Sequence, residues 1–447
     1  MTIGILGGGL TGCTLGRLLF DKGWSFEILE AENEIGGLLR SANVKGYTFD
    51  LGGPHILFSK NKQALDFLLN AIAGNVSTRR RNTKVIFKGR FVKYPFENGL
   101  SDLPLTDNLA CLAGFTVAVI GNKARRKRKA TNLREWCLMS FGQGISKRYL
   151  IPYNEKIWKF PLPEIAIGWV ERIPNPPWRD VFKSSLGIET EGYAHQLNFH
   201  YPRTGGIQSV IEGLTKDFPD KIVKDFEVKS ISKVEGKWVI SDGRRTRRYD
   251  AIISTLPLPT LAAAANLPDP VRRAAQNLKV NSVICACIGG MKLRRTDLSW
   301  LYIPSKRALA HRVSFLSNSS EMVAPVGKSS FIADITCKFG DTVWNMSDED
   351  IVGRTIKDLI AEGILESAEF EVSLVTRQRY AYVIDDLPRL GNIRTIMKHL
   401  NDVGLMTLGR FGEFEYLNMD GIVSRSFSFL KEREKVLNAA GWSNEET

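Results

Sequence analysis

From its first residue the chain alternates apolar and polar positions in a pattern that outlines its elements. Ile3, Ile5 and Leu6 make a short apolar strand, a glycine turn and a helical stretch follow, and a second strand runs through Phe26, Ile28 and Leu29 to end on Glu30. Ala64, Leu65, Phe67, Leu68, Leu69 and Ile72 recur at helical spacing, which predicts an amphipathic helix over 61–73. Residues 84–94 alternate as a hairpin about Lys88-Gly89-Arg90. The stretch 104–220 reads as mostly helical, but Pro152, Pro161, Pro163, Pro174, Pro176 and Pro177 break its middle into loops rich in aromatic residues and arginines.

Further along, Gly205-Gly206 opens an amphipathic helix through Ile207, Val210 and Leu214, and hairpin-like stretches follow at 223–234 and 237–249. A buried strand over 249–256 is stopped by Pro257. Residues 258–400 are strand-rich over 280–333 and helical over 348–365; Leu405 to Leu408 is a last strand, and Asn418 to Gly421 opens a last helix. A chain of 447 residues needs two or three lobes. The pattern predicts an α/β fold: a Rossmann-like dinucleotide domain in discontinuous segments (1–100, 201–257 and 401–447), a mostly helical domain at 101–200 and a mixed β-sheet substrate domain at 258–400.

The opening turn carries the first chemistry. Gly7, Gly9 and Gly12 fit G-x-G-x-x-G between a strand and a helix, and Glu30 ends the next strand, where a carboxylate can meet a ribose hydroxyl. Gly7 suits the tight turn, Gly9 the close approach of a pyrophosphate and Gly12 the packing of helix on strand. A second pair, Gly36-Gly37, with Arg40 just beyond, extends the phosphate cradle. This stretch resembles the flavoprotein family that includes amine oxidases and protoporphyrinogen oxidase, and the resemblance implies FAD. Gly52-Gly53 lets backbone approach a flat ring beside His55, a residue that composition alone leaves undecided between structure and chemistry.

Composition narrows the field. The net charge of +13 calls for an anionic ligand, a membrane surface or nucleic acid, and much of it lies in three runs, Arg79 to Arg81, Lys123 to Lys129 and Arg244 to Arg248. Such runs are mostly solvated, and without RNA-type aromatic signatures they do not make a nucleic-acid module. The run from Lys123 follows an apolar stretch over 109–120, a pairing that allows peripheral membrane contact through 109–129 but is too short to span a bilayer. The N-terminus enters a strand directly, so a cytoplasmic protein is expected. Six cysteines without C-x-x-C spacing are expected reduced, and five scattered histidines argue against a metal site. A homo-oligomer is left open.

Several later segments, in order, resemble the UDP-galactopyranose mutases, most closely the eukaryotic-type branch. Gly52 to Ser59 resembles the histidine loop that lies against the flavin, Pro152 to Trp158 with Trp169 to Arg172 resembles the segment of one active-site arginine, and Trp300 to Pro304 with His311 to Asn318 that of the other. Asn198 to Arg203 is similar to the stretch before the flavin-contacting helix, Arg379 to Tyr382 to a diphosphate-contacting segment, and Gly409 to Gly412 with Tyr416 to Asp420 to the C-terminal flavin signature. The resemblance implies catalytic roles for Arg172, Arg312 and His55. It implies cofactor contacts from Gly7, Gly9, Gly12, Glu30, Gly37, Arg40, Gly53, Gly409, Arg410, Asn418, Met419 and Asp420. Substrate contacts are implied for Tyr153, Trp158, Asn198, Tyr302, Tyr380, Tyr382 and Tyr416.

The implied reaction interconverts the pyranose and furanose forms of a UDP-sugar, with N5 of reduced FAD attacking the anomeric carbon and arginines holding the departing diphosphate. NADPH or another reductant would supply the reduced form. It needs no side-chain nucleophile, in keeping with a chain that offers no Ser-His-Asp or Cys-His set. Pro54 before His55, and Val-Ile-Asp-Asp after Tyr382, depart from the mutase pattern, so UDP-galactose is only the default and another nucleotide sugar is left open. The alternative is an FAD-dependent oxidase or desaturase of the protoporphyrinogen oxidase or amine oxidase type.

Overall fold

The computed structural model describes residues 1–124, 129–168, 170, 176–190, 198–291, 293 and 295–439. Its first sheet is parallel and five-stranded, in the order Met406–Thr407, Ala251–Ser254, Thr2–Leu6, Ser25–Leu29, Ile222–Val223. Ile3, Ile5 and Leu6 are fully buried, as expected of a central parallel strand covered on both faces. Helix Leu10–Asp21 joins the two central strands, and the C-terminal helix Met419–Ala439 packs against it.

The fold thus has the predicted class, an α/β arrangement with a Rossmann-like parallel sheet, a helical region and a second sheet. That second sheet has seven strands, in the order Val372–Val383, Val280–Gly289, Ser330–Cys337, Arg312–Ser314, Trp300–Tyr302, Thr83–Phe87, Arg90–Lys93. Along Val280–Gly289 the period of two divides the side chains: Val283, Cys285 and Cys287 join the cluster around Tyr47 and Phe49, while Ile284, Ala286 and Ile288 join the one around Ile351 and Leu359. Both faces are therefore core, which is why the strand shows no polar side. All six cysteines are buried and unpaired.

Two details differ from the sequence reading. The hairpin 83–93 forms, on a Lys88-Gly89 turn with positive φ at both residues, but it extends the seven-stranded sheet through the parallel pair Trp300 and Thr83 rather than the parallel sheet. The expected hairpin over 223–234 does not form. Ile222–Val223 instead edges the parallel sheet, where the Val223 carbonyl accepts from Glu30 N–H (2.9 Å), and the Glu235-Gly236 turn folds Ser230–Val234 onto Lys237–Ser241.

The helical region is built from Leu105–Ala124, Leu133–Ile145, Ile151–Trp158 and Trp178–Ser185. The first two cross closely where Gly114 meets Gly144, and Asn132 caps the second by accepting from Glu135 N–H (3.0 Å). Among the described residues, no helix is long and apolar enough to cross a membrane.

Candidate functional site

At the head of the parallel sheet Gly7 takes φ +105°, a conformation other residues rarely adopt, while its N–H donates to Leu29 O (2.8 Å). A Cβ on Gly12 would stand 2.0 Å from Gly7 O, so helix and turn touch backbone to backbone. Gly9 precedes the helix and has open space where a Cβ would project. No side chain caps this helix and no acid stands in its first turn, so its first N–H groups are left for an anion. Glu30 lines the same space, with its carboxylate fixed by Gly8 N–H (2.7 Å) and Glu32 N–H (3.0 Å).

The second glycine pair closes the cradle. Gly36 N–H donates to Gly8 O (2.8 Å) and Gly37 stands against Gly9. Arg40 follows, held loosely by Glu32 (3.5 Å), its Nε buried and without a partner among the described residues.

From this loop a cavity of about 790 Å³ runs to the seven-stranded sheet. Arg312 stands at that end, across the sheet from Asp334, whose buried carboxylate accepts from its Nε (2.6 Å). Burial pushes the Asp334 carboxyl up, the Arg312 charge opposes it, and Arg312 itself stays firmly protonated. Arg410 lies 4.6 Å over the Tyr416 ring and 5.8 Å from Tyr382, donating to Ala381 O (2.5 Å) with no carboxylate partner among the described residues. Tyr382 and Tyr416 stack at 6.4 Å, and Tyr302 and Tyr380 line the wall. Cations and phenols thus converge on one part of the cavity wall.

Residues 10–382 match the family model described as flavin containing amine oxidoreductase. The chain belongs to this family. Among solved structures, the flavin-containing amine oxidoreductase fold of this chain is similar to reduced UDP-galactopyranose mutase at TM-score 0.88 and 23% identity, covering 97% of this chain and 94% of that one. A candidate protoporphyrinogen oxidase from Exiguobacterium sp. 255-15 matches at TM-score 0.75 and 14% identity, over 97% and 99%. Putrescine oxidase bound to putrescine matches at 0.64 and 16%, over 97% and 99%. At these identities the likeness is one of fold.

The family implies a flavin, and the donors present fit one that carries a pyrophosphate. The uncapped helix, the open side of Gly9 and the side chains of Arg40 and Arg410 all border the cavity. Asn418 and Met419, at the mouth of the last helix, line it as well. Asp420 does not: its carboxylate accepts from Ser59 Oγ (2.5 Å) and Gly421 N–H (2.9 Å), tying the histidine loop to that helix. Gly409 packs on Thr11 and Gly53 near Asp334, both backing the wall.

Tyr153 and Trp158, expected at the substrate, stand one layer back. Tyr153 meets the Tyr302 ring edge-on at 5.3 Å, and Trp158 meets Tyr382 and Tyr416 at 6.4 Å. The reason is Lys156 on the same helix, whose buried ammonium donates to Ile303 O (2.9 Å), Ser305 O (2.6 Å) and Ala310 O (2.7 Å). Burial pulls its pKa to about 7. That clamp fixes the helix against the loop between Tyr302 and Arg312, so its aromatic face supports the cavity tyrosines from behind. Asn198, on strand Asn198–Pro202, lines the cavity; Arg172 lies outside the described residues.

Arg81 and Arg377, which the sequence reading did not place, also line the cavity, as does Arg379 of the segment expected at a diphosphate. Arg81 lies between the rings of Tyr94 (4.9 Å) and Trp300 (4.7 Å), while Arg79 pairs with Glu321 at the surface and Arg80 is exposed. Arg379 lies 4.3 Å over Phe339 and 5.4 Å over Tyr380. The position of Arg81 just before an alternating strand was the available signal; a run of three like charges hid it.

His55 Nδ1 lies 2.8 Å from Gly53 O, and since a carbonyl only accepts, Nδ1 carries the proton. Burial lowers its pKa from 6.5 to about 4; the Gly53 carbonyl opposes this and the charges of Arg410 and Arg312 reinforce it. The folded value lies below the unfolded one, so neutral His55 contributes stability that is present above pH 6.5 and is lost as pH falls through about 4. NMR of histidine-labelled protein is expected to find one ring that titrates near pH 4 and vanishes in His55→Gln. A midpoint above about 6 for that ring would refute the assignment.

Proposed function

We propose that this flavoenzyme binds FAD and a nucleotide sugar, with UDP-galactose as the default, and interconverts the pyranose and furanose forms of the sugar. One observation carries the reading: Arg312 and Arg410 line the cavity together with Tyr302, Tyr380, Tyr382 and Tyr416. Fixed guanidiniums flanked by phenol donors suit a diphosphate whose charge grows as it departs. The same cations repel a protonated amine, which weighs against oxidation of a simple amine.

When bound and reduced, the flavin supplies a nucleophilic nitrogen at the anomeric carbon. The protein's part is positional. Arg312 is oriented by Asp334 through Nε, and its terminal nitrogens have no hydrogen-bond partner among the described residues, so both can grip phosphate oxygens. Arg410 neutralises charge from the opposite wall, and Arg172 is the further cation the reading calls for. His55, neutral with Nδ1 committed to Gly53, offers Nε2 as an acceptor beside the ring. Residues 1–100, apart from the hairpin 83–93, with 201–257 and 401–447 hold the cofactor, and 101–200 with 258–400 hold the substrate. The isomerisation is redox-neutral, so NADPH or another reductant is needed only to prime the enzyme.

The second reading is an oxidase acting on an apolar, anionic substrate, which the arginines and aromatic walls would also accept. Photoreduced protein incubated with UDP-galactopyranose and related nucleotide sugars separates the two. Furanose product, with a flavin spectrum that moves on adding UDP, is the expected result. Oxygen consumption with an apolar anionic substrate, and no furanose from any nucleotide sugar, would leave the oxidase reading in its place.

A further inference from the structure

The helical region carries an apolar surface that the cavity chemistry does not use. Helix Leu105–Ala124 turns one face to its neighbours, with Asp107, Cys111 and Phe115 buried. The opposite face exposes Leu105, Leu109, Val117 and Ile120, at 71%, 57%, 69% and 63%. These positions fall on one stripe at helical spacing, and in residues 105–120 the single charged side chain is Asp107, buried against Lys88 and Arg148. The stripe therefore meets water without one exposed charge. Helix Trp178–Ser185 packs alongside, joined by Asn108 Nδ2 to Ser185 O (2.9 Å). It exposes Trp178, Phe182 and, one turn on, Leu186, beside a second exposed ridge of Arg179 and Lys183.

We propose that this face is a docking surface for an anionic lipid bilayer, on which the protein lies without crossing it. The apolar ridges would enter the headgroup boundary, Trp178 would sit at the level that suits an indole, and Arg179 and Lys183 would meet lipid phosphates. Charge selects this occupant. From Asn108 to Arg134 the sequence has no acid and seven bases, Lys123, Arg125, Arg126, Lys127, Arg128, Lys129 and Arg134, so the chain runs on from the stripe with one sign of charge. A second copy placed face to face about a two-fold axis would bring like charges together, whereas an anionic surface neutralises them. The stripe is too short to span, so a surface position is what its length allows. The inference stands apart from the reaction in the cavity and survives either reading of it.

The test is co-sedimentation of the full-length protein with vesicles of phosphatidylcholine alone and with about a quarter phosphatidylglycerol, at about 0.1 M salt and above. Binding is expected only to the anionic vesicles and is expected to weaken with salt. Two double variants, Val117→Gln with Ile120→Gln and Arg179→Glu with Lys183→Glu, are each expected to lower the partition coefficient about tenfold. All four side chains are exposed, so flavin content and circular dichroism should match wild type and thereby verify folding. Three results would overturn the proposal. One is wild-type protein that stays in the supernatant as a monomer, which would point to a protein partner. Another is a concentration-dependent dimer abolished by the glutamine pair, which would point to a second copy. The last is vesicle binding that the glutamine pair leaves unchanged, which would mean charge alone.

Discussion

Arg312→Lys is expected to lower kcat/KM for nucleotide-sugar isomerisation by about a hundredfold while leaving flavin content unchanged. In the native site Asp334 takes the guanidinium through Nε, which leaves the fork of terminal nitrogens for the diphosphate. A lysine keeps the charge that Asp334, only 1% exposed, needs beside it. It offers one compact ammonium, though, and cannot face Asp334 and a phosphate with equal geometry. The loss should fall mainly on kcat, because a departing diphosphate gains charge in the transition state and the fork meets that gain. Arg312→Ala is less informative, since a buried unpaired carboxylate would itself cost about 3–5 kcal/mol of stability. Steady-state kinetics of wild type and Arg312→Lys decide the matter, and a kcat within about twofold of wild type would remove Arg312 from the reaction.

The second large effect is expected at Gly12. A Cβ there would stand 2.0 Å from Gly7 O, a backbone atom that cannot swing aside. Gly12→Ala must push the helix from the turn, which misaligns the N–H groups at its start and costs about 1–3 kcal/mol in overpacking. The purified variant is expected to emerge colourless, and added FAD should fail to restore the flavin spectrum. Gly23→Ala, at a glycine with open space around it, controls for handling: it is strained by φ +70° but distant from the loop, and should stay yellow. A yellow Gly12→Ala protein would show that the turn tolerates the added methyl.

Much of this was legible in the sequence, for a physical reason. Strands buried on both faces and helices with one apolar stripe leave periodic traces, so the parallel sheet, the helix at Lys62–Ala71 and the hairpin at Thr83–Phe87 could be read from local pattern. Gly7, Gly12 and Glu30 could be placed because a turn, a contact and a carboxylate each impose a residue type at a fixed spacing. Sheet membership could not be read, since nothing local says that Thr83 pairs with Trp300 rather than with the parallel sheet. The depth of Tyr153 and Trp158 was equally hidden, because it depends on Lys156 reaching carbonyls some 150 residues away, at Ile303, Ser305 and Ala310. Arg81 was hidden because a solvated arginine and one held against aromatic rings look the same in a string of letters.

The position of the first strand has a consequence for how the molecule is made. Thr2–Leu6 is made well before its neighbour Ala251–Ser254, and both are made before the edge strand Met406–Thr407. Synthesis therefore runs against assembly: the apolar strand Thr2–Leu6 must be shielded until Ala251–Ser254 has been made, and Asn418 and Met419, which also line the cavity, come later still. A cavity walled by residues so far apart in sequence can close around a flavin only after Asn418 and Met419 have joined the strands made before them.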